Sequence, residues 1–238
     1  MSQLISGLSA AIFDVDGVLL ASPHERAWRE ALTGFADPAG FTTAIYQAHV
    51  AGKPRMDGAR AALEAMGVPD AARQAPAYAA RKQARLEELI HAGEVEAFPD
   101  ALRLVLDLRS LGWPMAVASS SKNANPMMQP IRLADGSRLV DAFAANDCGR
   151  DLPRGKPDPT IFLLAAAGLR IEPASCVVVE DAAAGVEAAR AGGMAALGVA
   201  RLDDAALLRD ARADLIVTSL DDVARSGLAD GLLQRRPA

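Results

Sequence analysis

At 238 residues, with 51% hydrophobic and 23% charged residues, the chain has the size and composition of an ordinary soluble globular protein with a substantial core. A net charge of -5 without any basic run leaves no electrostatic footprint for nucleic acid, and no apolar segment reaches the roughly 18 residues of a membrane span. Cys148 and Cys176 stand in no metal-ligand spacing and read as reduced thiols, so a cytoplasmic protein without nucleic-acid or membrane partners is expected.

The apolar run from Leu4 to Phe13 has no basic residue before it and is closed early by Asp14, which argues against a signal sequence. Within it, Ala10-Ala11-Ile12-Phe13 predicts a strand buried on both faces, as in a parallel sheet covered by helices. Asp14-Val15-Asp16-Gly17 follows at the strand's carboxyl end, where open α/β sheets bind ligands, and Gly17 permits a sharp turn. Two acids so close together are costly unless a cation or a donor-rich ligand holds them; the alternative is an acidic Asp-Gly turn.

Residues 18–23 carry no helix signal, and Pro23 stands near the start of a helix through Trp28 and Leu32. Helices are then expected over 39–51, 57–66 and 70–92, punctuated by Gly52, Gly67-Val68-Pro69 and Gly93, with no convincing strand before Phe98. An all-helical block after the first strand reads as an insertion that moves relative to the sheet.

From Phe98 the pattern alternates. A helix is predicted over 100–111, a strand over 115–118, a Ser-rich turn, a helix near 124–132 and a short strand within 140–146. A helix begins at Gly155-Lys156-Pro157-Asp158-Pro159 and runs through Ala167. Cys176-Val177-Val178-Val179 is the clearest buried strand, ending in Glu180-Asp181 and a helix through Ala191. Strands over 195–199 and 215–217 are each followed by helix, and residues 235–238 are expected to fray. The fold class is α/β: a doubly wound parallel sheet, residues 1–20 and 99–238, with an inserted all-helical block, residues 21–98.

Three strand ends thus bring Asp14 and Asp16, Ser119-Ser120-Ser121-Lys122-Asn123, and Glu180-Asp181 to one crevice, with Lys156 in a loop between the last two. Four carboxylates without abundant His or Cys suit a hard divalent cation, usually Mg2+. Serine hydroxyls and N–H groups at a helix start cradle phosphate oxygens, and a lysine neutralises them. Together they describe phosphoryl transfer, in which a carboxylate can attack phosphorus. Taken singly, the serines could be a loop, Glu180-Asp181 a dipole-favoured helix start, and Lys156 a solvated charge.

Phe13-Asp14-Val15-Asp16-Gly17-Val18, Ala118-Ser119-Ser120-Ser121-Lys122-Asn123, Gly155-Lys156-Pro157-Asp158-Pro159 and Val179-Glu180-Asp181-Ala182-Ala183-Ala184-Gly185 resemble the four motifs of the haloacid dehalogenase superfamily. The resemblance implies a Rossmann-like core with a helical cap. It makes Asp14 the nucleophile and a Mg2+ ligand, and Asp16 the general acid and base whose main-chain carbonyl also meets the metal. Ser119 and Lys156 would hold the transferring phosphate, and Asp181, with Glu180 beside it, would complete the metal site. Asp16 favours phosphate esters over dehalogenation, because an ester oxygen needs a proton on leaving.

A finer resemblance is to β-phosphoglucomutases and their relatives: His24-Glu25-Arg26-Ala27-Trp28 is similar to their cap hinge, Gly52-Lys53-Pro54-Arg55 to a phosphate-gripping cap loop, and Arg81-Lys82 to a cap helix that reaches the sugar. It implies substrate or phosphate contacts for His24, Trp28, Arg55, Lys82, Ser119, Ser120, Ser121, Lys122, Asn123 and Lys156. A mutase must grip a second phosphate, for which Arg55 with Lys122 is the candidate set. His24 could equally be a helix-start residue at the domain joint, Trp28 a packing residue and Arg55 a surface charge. Only four of the chain's 25 Lys and Arg residues are lysines, and all four fall in or beside these motifs. Ala21-Ser22-Pro23 departs from the mutase pattern, and Arg132 to Leu139 looks longer than usual. The expected activity is a mutase on a small sugar phosphate; the alternatives are a phosphatase for such a metabolite or, remotely, a non-catalytic sugar-phosphate binder. A monomer is expected.

Overall fold

The computed structural model describes residues 5–237; residues 1–4 and 238, which the expected core boundaries and frayed end include, lie outside them. Six parallel strands form the sheet: β1 (Ala10–Phe13), β4 (Met115–Val117), β5 (Ala145–Asn146), β6 (Cys176–Glu180), β7 (Ala195–Val199) and β8 (Leu215–Val217). Their order is β5-β4-β1-β6-β7-β8. The chain runs outward from β1 to one edge and returns on the other side of β1, so the reversal lies between β1 and β6. Ligands of open α/β sheets bind beyond the carboxyl ends at such a point.

Successive strand side chains serve opposite faces. Ala11, Phe13, Val117, Val177, Val179 and Leu197 pack on α5 (Pro99–Ser110) through Leu104, Val105 and Leu108, with α6 (Ala124–Met128) beside it. Ala10, Ile12, Ala116, Val178 and Ala196 face α7 (Thr160–Leu169), α8 (Ala183–Ala191) and α9 (Ala205–Asp210). Burial of β1 on both sides follows from its unbroken apolar run.

The insert is α1 (His24–Ala31), α2 (Thr43–His49), α3 (Arg55–Ala65) and α4 (Ala71–His91), around its own core of Trp28, Leu32, Phe41, Leu63 and Tyr78. The expectation of no strand before Phe98 is corrected: β2 (Leu20–Ala21) and β3 (Glu96–Ala97) pair antiparallel, and Phe98 N–H donates to Leu19 O at 2.9 Å. These strands stitch together the two chains that enter and leave the insert. Two residues are too few to carry an alternating signal.

Other boundaries also move. Thr42 accepts from Ile45 N–H at 3.3 Å, so α2 begins after a 3-10 turn at Pro38–Gly40 rather than at residue 39. Helix α6 stops at Met128 because Pro130 disfavours helix before it. The strand within 140–146 shrinks to β5 behind a 3-10 turn over Leu139–Ala142. Residues 155–159 stay a loop, and Asp158 accepts from Thr160 N–H at the start of α7. After β8 a 3-10 turn, Leu220–Asp222, precedes α10 (Arg225–Ala229). Arg235 does not fray: it bridges to Val223 and donates to Ile216 O. The long segment at 132–139 is a turn with an exposed tip, in which Arg132 bridges Arg138 while Leu133 and Leu139 are buried in the core.

Candidate active site

Asp14 follows β1 directly and its N–H donates to Val179 O at 3.0 Å, carrying the strand pairing one residue further. The chain then makes a tight turn: Leu19 and Leu20 N–H both reach Val15 O at 2.9 Å, and Gly17 N–H donates to Leu20 O. Gly17 has φ +81, and a Cβ there would lie 1.9 Å from Asp181 Oδ2. Glycine therefore serves twice, in the backbone conformation and in admitting Asp181. Gly185 plays a similar part on α8, where a Cβ would lie 1.8 Å from Glu180 Oε1.

Asp14, Glu180 and Asp181 bring one carboxylate oxygen each within 4.8 Å of one another. Lys156, wholly buried, donates to Asp14 Oδ1 at 2.6 Å and to Glu180 Oε1. The second oxygen of Glu180 accepts from the N–H groups of Asp181 and Ala182 at 3.0 and 3.1 Å. Burial pushes the Asp14 carboxyl up to about 7, with Glu180 and Asp16 adding to the rise against the pull of Lys156. Burial, then Glu180 and Asp14, hold Asp181 well above the usual carboxylate range. One ammonium among these acids leaves a deficit of positive charge, and the all-oxygen donor set fits a hard divalent cation held by Asp14 and Asp181.

A linkage prediction follows. Between the unfolded carboxylate range and about pH 7 the native state keeps a proton on Asp14 that the unfolded chain releases, so this group costs stability as pH rises. His24, held down to about 4 by burial, acts with the opposite sign. The decisive quantity is therefore the increment from added cation. We expect a divalent cation to raise the melting temperature more at pH 7.5 than at pH 5, because protons compete for its ligands. Equal increments in scanning calorimetry would contradict the cluster as its site.

Asp16 turns away from that cluster, towards the insert. Its buried Oδ1 has no hydrogen-bond partner, and His24 Nε2 stands 3.5 Å off. Lys82 lies 2.9 Å from His24 Nδ1 and 4.7 Å from the centre of the Trp28 ring. When Lys82 is an ammonium it has only protons to give, so Nδ1 then accepts and the neutral ring carries its proton on Nε2, facing Asp16. Burial lowers Lys82 to about 7. Arg55, half-buried, has no carboxylate partner among the described residues.

These groups line a cavity of about 500 Å3 between insert and sheet, together with Ser119, Ser120, Ser121 and Asn123. Ser119 is buried and accepts from Ser121 N–H at 3.1 Å. Ser120 donates to Gly52 O at 3.2 Å, and Asn123 exchanges two hydrogen bonds with Gln83 of α4, so both tie the insert to the core. Lys122 pairs with exposed Asp151 at 2.5 Å. Pro54 seats against Gly155, where a Cβ would come within 1.9 Å. Arg81 turns out of the cavity, onto Phe35 and Thr33 O, leaving only Lys82 of that pair inside. All four lysines line the cavity. So do Tyr46 and Arg150, which sequence reasoning missed: one sits in a helix and one in a loop, outside every motif.

A protein-family model described as haloacid dehalogenase-like hydrolase matches residues 8–193. The β-phosphoglucomutase of Mycobacterium bovis is 32% identical over 250 residues, spanning 90% of each chain. Among solved structures, β-phosphoglucomutase from Clostridium difficile superposes with a TM-score of 0.74 at 26% identity, covering 91% of this chain and 93% of that one. An archaeal β-phosphoglucomutase from Pyrococcus sp. strain ST 04 superposes at 0.73 and 28%, covering 92% and 96%. Among the described residues no helix is long and apolar enough to cross a membrane.

Proposed function

The chain belongs to the haloacid dehalogenase-like hydrolase family, and from that premise we propose Mg2+-dependent phosphoryl transfer on a small sugar phosphate through an aspartyl phosphate on Asp14. The activity is most like that of a β-phosphoglucomutase, converting β-glucose 1-phosphate to glucose 6-phosphate. The supporting observation is the cation set of the cavity: Lys156 stands against Asp14, while Arg55 from the insert, with no carboxylate partner among the described residues, adds positive charge beyond what one phosphoryl group needs; Lys122 and Arg150 at the mouth pair with Asp151 and Asp147. A bisphosphorylated intermediate would use that surplus.

Asp14 attacks phosphorus with one carboxylate oxygen as the bond from phosphorus to the sugar oxygen breaks. Asp16 gives that oxygen its proton, and His24, fixed by Lys82, orients Asp16. Ser119 and Lys156 hold the phosphoryl oxygens. Asp14, Asp181 and the main-chain carbonyl of Asp16, with Glu180 beside them, are the groups for Mg2+, which when bound neutralises charge on the phosphoryl group. In the return step Asp16 takes the proton from the second sugar hydroxyl, whose oxygen attacks the phosphoaspartate. The closed insert keeps water away meanwhile.

Hydrolysis is the second reading, favoured by Ala21-Ser22-Pro23. Pro23 has no N–H, so this segment has one donor fewer with which to restrain Asp16 between half-reactions. Incubation with β-glucose 1-phosphate and a trace of the 1,6-bisphosphate separates the two. Glucose 6-phosphate supports the mutase; inorganic phosphate alone refutes it. Arg55→Ala is expected to cut isomerisation by about 10- to 100-fold, the worth of a charge-assisted contact, and to leave phosphate release from acetyl phosphate within about 3-fold. An undiminished isomerase rate would remove Arg55 as the second grip.

A further inference from the structure

We propose that Arg201 and Asp100 are a positioning pair that fixes the turn carrying Asp16, an inference that rests on Asp16 being the proton donor. Asp100, at the start of α5, is buried, and its carboxylate accepts five hydrogen bonds. Two come from Arg201, at 2.7 and 3.1 Å in a bidentate fork. The others come from Ser219 Oγ at 3.0 Å, Leu220 N–H at 2.8 Å and Ala101 N–H at 2.9 Å. Burial pushes the carboxyl up, but Arg201, Leu220 N–H and Ser219 together outweigh it and hold the group below its ordinary range. Arg201, just past β7, is thereby set in one orientation, with its guanidinium 3.9 Å from the centre of the Phe98 ring.

From there Arg201 reaches the main chain after β1. Its Nε and one terminal nitrogen lie 3.4 Å from the carbonyl oxygens of Gly17 and Val18. These carbonyls lie in the turn that directly follows Asp16, where a cation satisfies oxygens that the turn leaves pointing outward. Phe98 is hydrogen-bonded to Leu19 and leads out of the insert. One guanidinium therefore touches the turn behind Asp16 and the ring at the insert's exit, while its anchor Asp100 opens α5. Loosening it lets Asp16 drift from the leaving oxygen, and displacements of about 1 Å are enough to cost large factors in rate. Neither residue reaches the cavity, so neither is catalytic.

Leaving-group dependence distinguishes this role from general loosening of the fold. Acetate leaves without a proton, whereas a sugar alkoxide needs one. The experiment measures single-turnover phosphorylation of Asp14 by acetyl phosphate and by the fastest sugar phosphate, in Arg201→Met, Arg201→Lys, Asp100→Asn and, as reference, Asp16→Asn. Arg201→Met should lose about 30-fold or more with the sugar phosphate and less than about 3-fold with acetyl phosphate, with KM little changed. Arg201→Lys should recover part of the loss, and Asp100→Asn, which keeps the side chain's shape, should show the same selectivity more weakly. Equal losses with both donors in Arg201→Met and Asp100→Asn, beside a selective Asp16→Asn, overturn the inference alone. A non-selective Asp16→Asn overturns the proton-donor assignment itself. Should Arg201→Met fail to fold, the selectivity of Asp100→Asn decides.

Discussion

Asp14→Asn should abolish formation of the phosphoenzyme and of all products while leaving the metal-free protein at least as stable as the parent. An amide is a poor nucleophile towards phosphorus, so the covalent route disappears, a loss on the order of 10^3-fold or more within the 10^6-fold and larger accelerations enzymes supply. The stability forecast has an independent origin. Asp14 is 5% exposed and sits among acids that push its carboxyl up to about 7, so near neutral pH its ionised form is held against resistance. A neutral amide of the same shape removes that repulsion, although it weakens the contact with Lys156. Acid-quenched labelling would test the first half and chemical denaturation in chelator the second. Persistent turnover of any phosphate ester would remove Asp14 as nucleophile.

Lys156→Met should produce the opposite pairing: lost turnover together with lost stability. The Nζ atom is enclosed, 4.8 Å from the centre of the Phe162 ring, and it is the ammonium that balances Asp14 and Glu180. Removing one partner of a buried ion pair typically costs about 3–5 kcal/mol, because the remaining charges stay unpaired. Turnover should fall by about 10^2- to 10^3-fold as one donor to the phosphoryl oxygens is lost. Part of the stability should return at pH 5, where Asp14 takes up a proton; the sign follows from its raised carboxyl. Urea titrations at both pH values measure this. Equal unfolding midpoints for parent and variant at pH 7.5 would contradict the role given to Lys156.

The core of the site was legible because chemistry and periodicity coincide there. Ala10–Phe13 is apolar on both faces and ends in acids, and Val177–Val179 ends the same way, so the strands announce both the sheet and what stands at its edge. Contacts made only when the insert meets the core were not legible. Ser120 and Asn123 read as phosphate ligands, yet in this closed arrangement they bind Gly52 O and Gln83. Nothing local marks the partner, which lies 68 or 40 residues away. Arg201 and Asp100 escaped for the same reason: they are 101 residues apart and belong to no periodic face. The two-residue strands β2 and β3 escaped because pairing across the insert, rather than propensity, makes them extended.

The placement of every lysine on the wall of one cavity bears on how this protein is handled. Lys82 and Lys156 are buried within it and Lys122 is exposed at its mouth, so apart from the amino terminus the amines that a coupling reagent meets lie in or beside that cavity, while arginine supplies most of the positive charge elsewhere. Amine-directed dyes, resins and crosslinkers would thus attach first at the cavity mouth through Lys122, and immobilisation through carboxylates or an engineered cysteine would leave it open.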